Sequence, residues 1–146
     1  MTDKIIDLAV KSLTLCNLLV EADYVIPMYQ RNYAWGKPEI QTLINDVIDA
    51  CQKNSETQYY IGTLVVFKRQ DGRLEVIDGQ QRFTTIFLII KHLEDIIKFA
   101  FPNSTCTPPT YETRTDSEDF LDKVKTKTEK EAKLNIDYFH IWKAYN

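Results

Sequence analysis

Histidine, cysteine and glycine are all scarce in this chain of 146 residues, with two, three and four copies. His92, His140, Cys16, Cys51 and Cys106 lie too far apart for a zinc motif, and no nucleophile–histidine pairing is visible. An odd number of cysteines without a pairing pattern fits a reducing cytosol better than a secreted disulfide framework. With so few glycines, neither G-x-x-x-x-G-K-[ST] nor G-x-G-x-x-G occurs, which excludes a standard phosphate-binding loop. Long apolar runs are missing too. The longest, near residues 83–90, is too short to span a bilayer and ends at Lys91. The start of the chain carries Asp3, Lys4 and Asp7 and no signal peptide. Charge of either sign is only slightly in excess, at −3 with a pI near 5.4, so the chain has no positive coat for non-specific duplex binding. One local cationic pocket remains compatible with that total. The expectation is a soluble, cytoplasmic protein without a membrane partner.

A hydrophobic fraction of 44% and a charged fraction of 27% are those of a globular protein, and the length suits one domain with a real core. No internal repeat or low-complexity segment interrupts it. Leu13, Cys16, Leu19 and Val20 share one face of a short helix over residues 12–21. Tyr24, Val25 and Ile26 read as a strand that Pro27 stops or holds at a sheet edge. Residues 28–36 are aromatic and polar without periodicity, a loop. Lys37-Pro38-Glu39 opens a helix, with Ile40, Leu43, Ile44, Val47 and Ile48 on its apolar face, running to residues 53–54. Residues 59–68 are β-branched and aromatic around Gly62, which predicts a strand buried on both faces. Asp71-Gly72 is a hairpin signal, and residues 73–77 return as the partner strand. Residues 83–101 predict one long buried helix with Ile86, Phe87, Ile90, Leu93 and Ile97 inward, ended by Pro102. Residues 110–113 read as extended, and residues 117–125 and 133–145 as two more helices. Lys123, Lys125, Lys127 and Lys130 alternate with Glu129 and Glu131, a solvated helical face. Phe139, Trp142 and Tyr145 are still apolar where the chain stops, so a further C-terminal region is expected.

The stretch "LEVIDGQQRFTTIFLII" sets five polar or turn-forming residues between two segments that favour burial. D-G-Q-Q-R therefore falls where a strand ends and a helix begins. A helix start combines unpaired N–H groups with the positive end of the macrodipole. Gly79 permits a tight turn and close approach of a ligand. Arg82 can fork onto phosphate oxygens. Gln80 and Gln81 can bond phosphate, a base edge or water, and Asp78 can hold Mg²⁺ or its water shell. A plainer account stands beside this one. Asp78 and Gln81 match a capping box with aspartate in place of serine or threonine, leaving Arg82 as a solvated residue. The loop "VIPMYQRNYAWG" packs Tyr29, Gln30, Arg31, Tyr33 and Trp35 into seven positions. Its aromatics can stack on a nucleobase while Arg31 reaches phosphate, or Tyr33 and Trp35 can simply cover the edge of the core. Lys68, Arg69 and Arg73 around the hairpin tip suit either nucleic acid or solubility.

"IPMYQRNYAW", "YYIGTLVV" and "EVIDGQQRFTTIFLI", in this order, closely resemble the N-terminal domain of GmrSD-type modification-dependent restriction endonucleases. The resemblance covers residues 24–93, and "YETRTDSEDFL" is similar to the segment that follows in that family. It implies an α+β fold of ParB/sulfiredoxin-like type, a small mixed β-sheet flanked by helices, with a nucleotide or phosphate near the strand-to-helix turn. The D-G-Q-Q-R segment is associated there with nucleoside triphosphate hydrolysis. Carried over, Asp78, Gly79, Gln80, Gln81 and Arg82 become the catalytic turn, with Asp78 on Mg²⁺. Tyr29, Gln30, Arg31 and Arg114 become nucleotide contacts. The implied role is regulatory, in phage defence, with foreign DNA met through the whole protein. Family members usually carry an HNH-type nuclease domain, but no His-Asn-His segment occurs in this chain, so DNA cleavage is not assigned to it. Two rivals remain: a non-catalytic sensor of nucleic acid, and a protein-interaction module that pairs with a nuclease subunit or a second copy through Trp142 and Tyr145.

Overall fold

The computed structural model describes residues 9–53, 58–100, 109–112, 117–134 and 136–146. The fold is α+β, with a four-stranded mixed sheet in the order β2-β3-β1-β4. Strand β1 (Tyr24–Ile26) pairs in parallel with β3 (Leu74–Asp78) and with β4 (Thr110–Tyr111), while β2 (Val65–Lys68) pairs antiparallel with β3. All three residues of β1 are buried, as a short strand between two neighbours requires. Pro27 ends this strand but does not hold it at an edge, because β1 is central.

Helix α1 (Leu15–Glu21) begins at Thr14, whose hydroxyl accepts from the Asn17 backbone N–H, and so starts later than the periodicity predicts. Leu19 enters the core, whereas Leu13 stays outside the helix and exposed. Helix α2 (Lys37–Lys53) matches its predicted span, with Glu39 and Lys53 at the ends the macrodipole favours. Of its five apolar positions only Leu43 is buried, and Ile44 and Ile48 are exposed. The Asp71-Gly72 turn closes the β2–β3 hairpin, with the Gly72 N–H donating to the Arg69 carbonyl and Asp71 accepting from the Arg73 N–H.

The predicted strand over residues 59–68 is corrected most. Only Val65–Lys68 is regular, at the sheet edge, and none of its residues is buried: Val65 is 42% and Phe67 60% exposed. A register shift between Val65 and Val66 marks where the chain leaves the ladder. The preceding residues are drawn off it by contacts with the helix α3 turn, described below.

The long helix is also divided. α3 (Gln80–His92) starts three residues earlier than predicted, and Leu93 separates it from α4 (Glu94–Ala100). Lys91 in the last turn of α3, and Glu94 and Asp95 in the first turn of α4, place each charge at the helix end that stabilises it. Leu93 is consequently 40% exposed at the break and does not face the core. The side chain of Ile97 lies outside the described residues. Phe83, Ile86, Phe87 and Leu88 of α3 carry the core between the sheet and the C-terminal helices, with the Phe83 and Tyr24 rings 4.7 Å apart.

The extended stretch predicted at residues 110–113 appears as β4, with Thr113 outside the described residues. Beyond it, α5 (Ser117–Asp122) passes into a 3-10 turn (Val124–Thr126), then α6 (Glu129–Ala132) and α7 (Ile136–Tyr145). The alternating Lys/Glu stretch is thus a chain of short pieces, not one helical face. A reciprocal capping box between Thr128 and Glu131 starts α6. Trp142 packs against the core and donates its indole N–H to the Lys127 carbonyl at 2.8 Å.

Candidate functional site

Asp78 ends β3, and Gly79 is the N-cap residue of α3 with φ +94° and ψ +12°, the left-handed conformation. No side chain caps this helix start, so the capping-box reading of Asp78 and Gln81 does not hold: the cap position falls on a residue without a side chain. Glycine is required for two reasons. Its φ disfavours any L side chain. An ideal Cβ there would also lie 3.0 Å from the Thr63 carbonyl oxygen and 3.3 Å from Leu64 Cδ1.

The loop after β1 lies alongside this turn and is fastened to it by side-chain amides. Gln30 Nε2 donates to the Ile77 carbonyl at 2.8 Å, and Gln80 Nε2 to the Arg31 carbonyl at 3.0 Å. Gln81 Oε1 accepts from the backbone N–H groups of Ala34 (2.7 Å) and Trp35 (3.2 Å). Its Nε2 donates to the Asn32 carbonyl (3.0 Å) and to Gln80 Oε1. A primary amide has two donors and two acceptor lone pairs, so Gln81 is saturated. Both glutamines are almost fully buried, Gln80 at 4% and Gln81 at 7% exposure. One turn further on, the Thr85 hydroxyl donates to the Gln81 carbonyl at 2.8 Å and is therefore the acceptor for the Tyr33 phenol at 2.9 Å. Burial raises the Tyr33 phenol above the usual tyrosine range, with the Thr85 hydrogen bond acting against it. Tyr33 is a core residue, and Trp35 packs partly against the core.

The third motif reaches the same place. An ideal Cβ at Gly62 would lie 2.3 Å from Arg82 Nη1 and 2.9 Å from Cζ, so the guanidinium fills the space a side chain would need. Residues 62–64 thus lie against both Arg82 and the Gly79 turn. Around this junction Asp78 and Arg31 are exposed and Arg82 is half-buried. Among the described residues none of these three charged side chains has a hydrogen bond or ion pair. A glycine inside an otherwise β-branched run was the available signal for this close approach.

Tyr29 is bonded to the neighbouring strand. Its phenol donates to Glu75 Oε1, and Glu75 Oε2 accepts from Arg69 Nε at 2.7 Å. Arg69 also makes a two-pronged pair with Glu112, at 2.7 and 3.2 Å. The Tyr29 hydrogen bond and then Arg69 hold the Glu75 carboxyl below its usual range, and Arg69 does the same for Glu112. Glu112, then Glu75, push the Arg69 guanidinium up, and the Glu75 bond raises the Tyr29 phenol. This network joins the hairpin, the middle of β3, the β1 loop and the end of β4. Nothing in the sequence distinguished Glu75 or Glu112 from other surface acids. Arg114 lies outside the described residues.

Among the described residues no group of three or more His, Cys, Asp or Glu is arranged to hold a metal, and no helix is long and apolar enough to cross a membrane. Three stretches separated in sequence, "YQRNYAW", "YIGT" and "DGQQR", are therefore parts of one junction. Among curated proteins none matches the chain. The family model described as the N-terminal domain of the GmrSD restriction endonuclease matches residues 15–146, and the chain belongs to that family.

Proposed function

We propose that the junction binds the polyphosphate of a nucleoside triphosphate and hydrolyses it, as the regulatory domain of a restriction protein. The observation that carries this reading is the convergence just described. Three motifs meet at a strand-to-helix turn and leave Arg82, Arg31 and Asp78 without hydrogen-bond or ion-pair partners among the described residues. Arginine guanidinium groups and an uncapped helix start suit phosphate oxygens. The ParB/sulfiredoxin-like kinship implied by the motifs, with its phosphate near such a turn, belongs to the same proposal.

The donor set fits Mg²⁺ delivered with the nucleotide. Mg²⁺ commonly takes one or two carboxylates and completes its shell with substrate oxygens and water, and the exposed carboxylate of Asp78 suits that role. When bound, the ion offsets negative charge on the phosphate oxygens. Arg82 and Arg31 hold the phosphates in place, and Asp78 orients the attacking water. Water oxygen bonds to the terminal phosphorus, the bond to the bridging oxygen breaks, and the diphosphate leaves with the bonding electrons. Water's proton passes to phosphate or solvent. Catalysis of this type is mostly placement and charge stabilisation. Gln80 and Gln81 take a positioning part: their buried amides fix the loop that carries Arg31. In the whole protein this cycle would control a nuclease domain or subunit acting on foreign DNA.

The test is binding and turnover of ATP, GTP, CTP and UTP with Mg²⁺. Arg82→Ala is expected to weaken binding about ten- to a hundredfold, the value of a hydrogen bond to a charged group. Asp78→Ala is expected to keep the fold and lose turnover about a hundredfold. A folded Asp78→Ala protein that hydrolyses at the full rate refutes the catalytic assignment. The exposed apolar side chains of β2 favour a second reading, a contact module, which expects no nucleotide binding at all.

A further inference from the structure

Arg82 is a long side chain with many rotamers, and it is half-buried without an ion pair or hydrogen bond among the described residues. No polar partner among the described residues defines where its guanidinium sits. Its far end lies against Gly62, where Nη1, Cζ and Nε would be 2.3, 2.9 and 3.3 Å from an added Cβ. Gly62 has φ +144°, a conformation that L side chains rarely adopt, so its bare Cα face is presented by the backbone itself. Its neighbours are fixed as well. Ile61 packs against the core on one side of the glycine, and Thr63 and Leu64 rest on Gly79 on the other. The segment is thereby anchored on both sides of the glycine.

We infer that Gly62 is a positioning residue: the missing side chain forms a seat that holds the Arg82 guanidinium ready for phosphate. The inference rests on the reading of Arg82 as the phosphate-contacting cation. A methyl at position 62 displaces the far end of Arg82 and also strains the φ +144° backbone, so the double variant, and not the single one, separates loss of the seat from backbone change. Pre-setting a rotamer-rich side chain in its binding geometry removes an ordering cost from association. A guanidinium released from the seat must be ordered anew by each phosphate it binds.

Binding of inorganic tripolyphosphate and of ATP, each with Mg²⁺, is measured by calorimetry for wild type, Arg82→Ala, Gly62→Ala and the double variant. Gly62→Ala is expected to weaken both ligands about tenfold, and the double variant to bind no more weakly than Arg82→Ala alone. Losses that multiply in the double variant overturn the inference, as does a folded Gly62→Ala protein with wild-type affinity. If wild type binds neither ligand, or Arg82→Ala changes nothing, the phosphate-site reading itself fails and takes the inference with it. Should Gly62→Ala not fold, nitrogen relaxation of the Arg82 Nε–H in ligand-free wild type decides. An order parameter near that of the rigid backbone supports the seat, and one below about 0.6 overturns it.

Discussion

Replacing Gln81 by methionine removes the fastening of the β1 loop while keeping the volume and length of the side chain. Four hydrogen bonds are lost, and their partners are not replaced. The N–H groups of Ala34 and Trp35 lose their acceptor, and the Asn32 carbonyl and Gln80 Oε1 lose a donor. An orphaned buried group costs about 1–3 kcal/mol. The loop partners are only part-buried, so water recovers much of that for the three backbone groups; Gln80, at 4% exposure, recovers least. The sum comes to about 2–4 kcal/mol. For a domain of this size that lowers Tm by about 5–15 °C, and it shifts the urea midpoint by about 1–2 M. Amide hydrogen exchange sharpens the test, because the Ala34 and Trp35 protons should exchange far faster while those inside α3 keep their relative protection. A loss below about 0.5 kcal/mol, with unchanged exchange at residues 34 and 35, would refute the view that Gln81 fastens the loop.

Glycines in similar conformations should differ in cost. Gly72, at φ +88°, has nothing within 4 Å of an added Cβ, so Gly72→Ala should lose only the left-handed penalty of about 1–2 kcal/mol. Gly79→Ala adds contact with the Thr63 carbonyl at 3.0 Å and should lose about 1 kcal/mol more by urea unfolding. The acid limb of stability should depend on Arg69. Glu75 and Glu112 have carboxyls held below their usual values, so their contribution is present above the unfolded value of about 4.3 and is lost as pH falls below it. Wild-type Tm should stay level from pH 7 to about 5 and fall below about 4, whereas Arg69→Met should start lower and fall less. A parallel fall in both proteins would show that the network adds nothing.

What could be read before the fold was known depended on how local the determinant was. The period of Ile40, Leu43 and Val47, the prolines at 27 and 38 and the Asp71-Gly72 pair act within a few residues, and α2, the end of β1 and the hairpin appear where they predict. The segment 59–64 has the composition of a strand, yet its conformation is decided by Arg82 and Gly79, which lie some twenty residues further along. The break at Leu93 falls where basic helix-end residues meet acidic helix-start residues, inside a run whose apolar content is continuous. At the site, the place of D-G-Q-Q-R at a strand-to-helix junction was legible. The work of Gln81 was not, since its partners are up to 49 residues upstream. The bond from the Tyr29 phenol to Glu75 was not legible either, because Glu75 carries no signature of its own.

The placement of β1 bears on the order in which the protein is made. This strand is made before both of its partners: Tyr24 pairs with Leu74 and Val25 with Thr110, so both its ladders await later residues. Parallel pairing at such separation closes large loops before any contact rewards them, which slows folding. Until residue 111 has left the ribosome, the most buried strand of the sheet has at least one bare edge. A chain halted between β3 and β4 would carry that edge in the cell, open to chaperones or to strands of other chains.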